Sequence, residues 1–180
     1  MTHTMSEADS KALLAPYGLP FAPELVAADA DGADDAARGV GFPVVAKLCG
    51  DRIAHKSERG LVRLALAEEA AVREAAEDLL AAATPEDGDV GILVAPMVRG
   101  HRELIAGLTR DPQFGMTVMV GIGGILAEAL ADVAIRLVPV DRHDAGEMLD
   151  DLGAQALLGP VRGEPAVDRS AVVDILVGLS

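Results

Sequence analysis

The sequence contains one cysteine, Cys49, in 180 residues. An intrachain disulfide is therefore impossible, and a Cys/His metal cluster is excluded because its ligands are missing. Aromatic residues are nearly absent at 2%, with no tryptophan, although apolar residues reach 51%. A core must then be built from Ala, Val, Leu, Ile and Met. Cations are scarce as well: 15 Lys and Arg against 29 Asp and Glu leave a net charge of −14. Such a field repels nucleic-acid backbones and anionic lipid headgroups, and no basic stripe offsets it, so neither is an expected partner. No uninterrupted apolar stretch reaches the length of a membrane span, and no basic region followed by an apolar run opens the chain, so a cytoplasmic location is expected. None of the serines stands in a Gly-x-Ser-x-Gly elbow, which removes the usual frame for a hydroxyl nucleophile.

What is present reads as one functional unit of mixed α and β structure, or as two small lobes sharing one fold. A short helix over Ser6 to Ala15 ends at Pro16-Tyr17-Gly18-Leu19-Pro20, where proline cannot continue it and glycine suits its cap. A strand over Glu24 to Ala28 and a helix over Gly32 to Val40 follow, the helix closed by Gly41-Phe42-Pro43. Val44 to Leu48 is an apolar run with a single lysine, a buried strand presenting one cation. Gly60 to Leu66 is a further strand. From Glu68 to Ala83, apolar residues at helical spacing (Ala71, Val72, Ala75, Ala76, Leu79, Leu80) mark an amphipathic helix.

In the second half, Gly91 to Val98 is a strand in which Pro96 signals an end or an open edge. Glu103 to Thr109, the turn Arg110 to Gly115 and Met116 to Val120 make an antiparallel hairpin. Ile125 to Leu130 and Val133 to Val140 read as two strands around Asp132, with helix an alternative for the first. Asp141 to Leu152 is a helix with Asp141 as its N-cap, and Ser170 to Leu179 is another. Strands outnumber helices and hairpins predominate late, so the class is α+β rather than doubly wound.

Several residues stand out chemically. An ammonium at Lys47, on an otherwise apolar strand, needs an anion beside it, either a protein carboxylate or a ligand phosphate; a partly exposed edge-strand lysine is the plainer reading. His55-Lys56-Ser57 places a nucleophilic imidazole, a cation and a hydroxyl in one loop, a mix suited to accepting and neutralising a phosphoryl group. The same three residues also suit an ordinary polar turn. His3, His101 and His143 fall in a tail, a turn and a helix surface. Gly121-Ile122-Gly123-Gly124 allows backbone N–H groups to approach phosphate, yet it matches neither Gly-x-Gly-x-x-Gly nor a P-loop, and a tight turn is its default. Glu103, Glu128 and Asp132, on or beside apolar strands, require a cation or a metal, and Arg136 is their natural ion-pair partner.

Taken together and in order, these segments resemble the ATP-grasp domain of ADP-forming (NDP-forming) acyl-CoA synthetases, including acetate–CoA ligase β subunits. The resemblance runs from about Lys11 to Ser180. It is carried by Tyr17-Gly18-Leu19-Pro20, Gly41 to Lys47, His55-Lys56-Ser57, Arg110 to Gly115, Gly121 to Ile125, Arg136-Leu137-Val138-Pro139 and Arg162-Gly163-Glu164-Pro165. It implies one ATP-grasp domain over residues 1–180, with lobe one at about 20–95, lobe two at about 96–180 and nucleotide between them.

It further implies that Lys47 meets the nucleotide phosphates, that the backbone of Ala95 to Met97 receives adenine, and that Glu103 lies on the ribose or hinge side. His55 would accept a phosphoryl group from a phosphohistidine of a CoA-binding partner subunit and pass it to ADP. Arg136, Gly123 and Gly124 would steady the phosphate, with Mg²⁺ at Glu128 and Asp132. ATP/ADP and Mg²⁺ are thus the implied cofactors, and a hetero-oligomer the implied assembly. Family members carry Gln-Glu where Ala95-Pro96 stands here, and they continue into a further metal-binding strand. The alternative is a shortened, non-catalytic module that binds nucleotide or a partner protein.

Overall fold

The computed structural model describes residues 5–53, 56–98, 100, 102–124, 130–161 and 163–180. The chain divides into two compact units, Met1–Leu13 with Phe21–Arg99 and Leu14–Pro20 with Gly100–Ser180. Each has an antiparallel sheet with helices packed on one face, so the class is α+β.

In the first unit the strands are β1 (Leu25–Ala27), β2 (Val44–Gly50), β3 (Val62–Leu66) and β4 (Val90–Pro96), in the order β1-β4-β2-β3. Alternation along β2 sends Val44, Ala46 and Leu48 to one face and Val45, Lys47 and Cys49 to the other. The first set joins Ile92 and Val94 of β4 in a core closed by two helices, α2 (Ala30–Val40) and α3 (Glu69–Ala81). Small residues on α2 (Ala33, Ala36, Ala37) let it approach closely, while Val72, Ala76 and Leu79 of α3 fill the remainder. The amphipathic spacing read over Glu68 to Ala83 is therefore the buried stripe of α3. Asp29 caps α2 by accepting from the Gly32 N–H at 2.8 Å. At the edge, β3 carries a bulge opposite Val44 to Ala46, with Ala65 at φ 56°, which interrupts a ladder that another chain would otherwise extend.

The N-terminal helix α1 (Glu7–Leu14) is built differently, because none of its residues is buried. Eight residues with no apolar anchor are too few to hold a helix by themselves, so its charged side chains must dock it.

The second unit holds β5 (Leu104–Asp111), β6 (Gly115–Ile122) and β7 (Val133–Leu137) in that order, with α4 (Arg142–Asp150), the single turn α5 (Gln155–Leu158) and α6 (Arg169–Leu179). Val118, Val120 and Ala134 pack beneath Ala145, Met148, Leu149, Val173 and Leu176. Asp141 is the N-cap of α4, accepting from His143 and Asp144 N–H at 2.7 and 2.9 Å, while the Asp144 side chain returns to the Asp141 N–H at 3.1 Å. The hairpin turn between β5 and β6 is fixed by Asp111, whose Oδ1 accepts from Gln113 and Phe114 N–H.

Two expectations are corrected. The glycine run begins inside β6 rather than after it, because Gly121 pairs with Ile105 and Val133, and a side chain there would collide with the Asp132 carbonyl at 2.7 Å. The strand expected over Val133 to Val140 stops at Leu137, before a cis Val138-Pro139 bond. The segment expected over Ile125 to Leu130 lies outside the described residues from 125 to 129. Among the described residues, no helix is long and apolar enough to cross a membrane.

Candidate functional site

Lys47 lies on the β2 face opposite α2 and α3, where its ammonium meets Glu7 Oε1 at 2.8 Å. β2 is an interior strand, hydrogen-bonded to β4 on one side and β3 on the other, so the edge-strand reading of Lys47 is corrected. Lys56, at the start of the turn leading into β3, donates to Glu7 Oε2 at 2.9 Å, and Lys11 of α1 donates to Glu7 Oε1 at 3.0 Å. Lys11 also pairs with Glu24. Three ammonium groups from three segments thus converge on one carboxylate. Burial favours the neutral form of Glu7, but hydrogen bonds from Lys47, Lys56 and Lys11 outweigh it and bring its pKa down to about 2. For Lys11, burial opposes the charge, and the bonds it donates to Glu24 and Glu7 outweigh it and raise its pKa.

His55 lies outside the described residues; its chain neighbour Lys56 opens the turn that leads into β3. Leu61 N–H donates to the Lys56 carbonyl at 2.8 Å, and Gly60 N–H to the Ser57 carbonyl at 3.1 Å. Arg59, in the same turn, makes a two-point contact with Asp87 at 2.6 and 2.9 Å. Asp87 also accepts from Thr84 N–H and hydroxyl at 2.9 and 3.1 Å. The turn from Lys56 to Gly60 is therefore pinned to the turn preceding β4.

The stretch Ala95 to Met97 offers acceptors rather than donors. Met97 N–H donates to the Pro43 carbonyl at 2.9 Å, extending the β2–β4 ladder. Alternation along an antiparallel pair then turns the backbone groups of Ala95 towards Val45 and those of Pro96 away from β2. On that outer side β1 pairs no further than Val94. Pro96 has no N–H, so it contributes a carbonyl to this unpaired edge.

The second-unit candidates are placed as follows. Gly123 N–H donates to the Glu103 carbonyl at 2.8 Å, and Gly124, at φ 66°, lies against the Glu103 carboxylate, where a Cβ would come within 3.1 Å of it. Asp132 accepts from Gly153 and Ala154 N–H at 2.9 and 2.8 Å, which fixes the chain entering α5. Arg136 pairs with Asp151 after α4, so the expected pairing with Glu103 or Asp132 is corrected. The reason is register: Arg136 shares the helix-covered face with Ala134 and reaches the end of α4. Glu128 lies outside the described residues, as do His3 and His101. His143 stands exposed on α4 beside Glu147. Among the described residues, no group of three His, Cys, Asp or Glu side chains is arranged to hold a metal.

Neither Glu7 nor Lys11 stands out chemically in the sequence. Their signal was a Glu-to-Lys pair at i,i+4 on a helix without an apolar stripe. A cleft of about 580 Å³ on this unit is lined by Asp9, Asp51 and Asp89 beside Cys49, which makes it repellent to phosphate. The Lys11, Lys47 and Lys56 cluster, by contrast, gathers three cations around the Glu7 carboxylate.

A family model described as an ATP-grasp domain matches residues 1–180. The chain belongs to the ATP-grasp family. It is 37% identical over 179 residues to the β subunit of acetate–CoA ligase [ADP-forming] II of Pyrococcus furiosus, covering 98% of this chain and 76% of that one. With acetate–CoA ligase [ADP-forming] I of Archaeoglobus fulgidus it shares 38% identity over 175 residues, 96% of this chain but 26% of that longer protein. The ATP-grasp domain therefore spans about three quarters of one relative and a quarter of the other.

Among solved structures it is similar to the dinucleotide-forming acetyl-coenzyme A synthetase 1 of Ca. Korarchaeum cryptofilum in complex with coenzyme A, Ca-AMPCP and HgCl+. That match has a TM-score of 0.90 at 35% identity, over 98% of this chain and 79% of that one. A second structure of that enzyme, with coenzyme A and Mg-AMPPCP and its phosphohistidine segment pointing towards the nucleotide binding site, matches at TM-score 0.81 and 35% identity, over 96% and 75%. This grouping makes the chain an ATP-grasp domain of the ADP-forming acyl-CoA synthetase type.

Proposed function

We propose that this domain is the nucleotide-handling part of an ADP-forming acid–CoA ligase, acting with a CoA-binding subunit or domain. The observation that carries the reading is the convergence of Lys47 and Lys56 on one carboxylate, at 2.8 and 2.9 Å. It brings the cation of a central strand to the loop that also carries His55. A phosphoryl group arriving there meets two ammonium groups, one of them on the chain neighbour of His55. In the ATP-forming direction, a His55 ring nitrogen attacks the phosphorus of a phosphohistidine on the partner, breaking its P–N bond and forming a new one. A β-phosphate oxygen of ADP then displaces His55 and makes ATP. Lys47 and Lys56 balance the charge on the transferring group. The net reaction interconverts acyl-CoA, ADP and phosphate with carboxylate, CoA and ATP.

Adenine would meet the carbonyl edge at Pro96, which accepts from its exocyclic amino group. Mg²⁺ would arrive with the nucleotide phosphates and compensate their charge. Each oxygen of Asp132 already accepts one backbone N–H, and the described carboxylates do not assemble a metal cage, so no step is assigned to them. Partner and nucleotide would be met in the cytoplasm.

The test is to incubate the chain with radiolabelled ATP and Mg²⁺, with and without a CoA-binding partner, and to assay acid-labile phosphate. Wild type is expected to carry label and His55→Ala to lose it. Label that persists in His55→Ala overturns the relay.

A further inference from the structure

Helix α1 buries none of its residues, yet it presents Glu7 to three lysines at 2.8 to 3.0 Å. Its two carboxylate oxygens take all three ammonium groups, a geometry that matches an anion with several oxygens. Lys11 has a second partner in Glu24, whereas Lys47 and Lys56 pair with Glu7 alone among the described residues. Of the five charged groups Lys11, Lys47, Lys56, Glu7 and Glu24, three are cationic and two anionic, so the cluster is +1 with Glu7 seated and +2 without it.

We propose that Glu7 is an internal stand-in for phosphate: the Lys11, Lys47 and Lys56 cluster is an anion seat that α1 closes from within the chain, and a nucleotide phosphate opens it by displacing the Glu7 carboxylate. This rests on the nucleotide reading of Lys47 and adds to it the residue that competes and a third cation, Lys11. Displacement is favourable because a phosphate brings more negative charge and more acceptor oxygens to the same donors than one carboxylate does. The device is local. Lys11 stays tethered to Glu24, so the second turn of α1 remains attached while the first turn lets go. A short helix with no apolar anchor that loses its main ionic contact frays.

The experiment measures ADP affinity by calorimetry for wild type, Glu7→Gln and Lys47→Ala, with amide exchange of α1 recorded with and without ADP. A seat closed roughly nine-tenths of the time weakens apparent affinity about tenfold, so Glu7→Gln is expected to tighten ADP binding by about that factor. Amides of α1 are expected to exchange faster in wild type once ADP is added. A purely structural clamp would lower the melting temperature of Glu7→Gln without tightening ADP. Equal or weaker ADP binding by Glu7→Gln, or unchanged α1 exchange on ADP addition, overturns the proposal. Loss of binding in Lys47→Ala upholds the nucleotide reading separately, and absence of ADP binding from wild type and Glu7→Gln alike overturns both.

Discussion

Replacing Asp87 by alanine removes the Arg59 contact that ties the turn after Lys56 to the turn preceding β4. Asp87 is 2% exposed and accepts four hydrogen bonds, two from the Arg59 guanidinium and two from Thr84. The Arg59 bonds, then the Thr84 N–H, hold its carboxyl well below the usual carboxylate range, against the burial that would raise it. Removing one partner of a buried ion pair costs about 3–5 kcal/mol where the other charge is stranded. Arg59 keeps a 35% exposed side chain and can turn to water. The expected loss for Asp87→Ala is therefore at or just below the bottom of that range, about 2–3 kcal/mol.

The pH dependence has a definite sign. A carboxyl whose folded pKa lies below its unfolded value stabilises fully above the unfolded value, near 3.9 for Asp, and loses that contribution as pH falls through the folded one. Urea unfolding followed by circular dichroism at pH 7, 5 and 3 should show the full gap between wild type and variant at pH 7 and 5, and a smaller one at pH 3. A gap under about 0.5 kcal/mol at pH 7, the range of ordinary surface substitutions, refutes the assignment, as does a gap already gone at pH 5. Because Arg59 and Lys56 share one turn, the variant should also slow the labelling reaction.

Two further substitutions test the scaffold. Gly91→Ala would place a methyl group 2.8 Å from the Ala27 carbonyl and 3.1 Å from a Val26 methyl, so β1 must move; about 1–3 kcal/mol should be lost in thermal unfolding, and an unchanged melting temperature refutes the contact. Asp132→Ala leaves the Gly153 and Ala154 N–H groups without their acceptor, with an expected loss of about 1–2 kcal/mol and no change in the Mg²⁺ needed for half-maximal labelling. A raised Mg²⁺ requirement would instead make Asp132 a metal ligand.

Much of the fold could be read from local pattern, because periodicity reports directly on which face is buried. The α3 stripe, the Asp141 cap, the turn at Asp111 and the apolar run of β2 are properties of neighbouring residues, and each stands where the spacing put it. The boundaries that shifted, at Gly121 and Leu137, depend on what lies across the sheet rather than along the chain. The family was legible too, since the order of its motifs survives in one dimension.

By itself, the sequence determined that Lys47 needs an anion, that His55 has a cation beside it, and that disulfides, metal clusters of Cys and His, and a nucleic-acid surface are excluded by composition. The tertiary structure decided which anion Lys47 meets. Glu7 is 40 positions away from Lys47 and 49 from Lys56, and pairings at that separation are set by sheet order and helix docking, which no local pattern encodes. For the same reason Arg136 met Asp151 instead of the carboxylates nearest in sequence, and Asp132 was used as an acceptor for the chain entering α5. Charge dictated that these groups find partners, and the fold selected them.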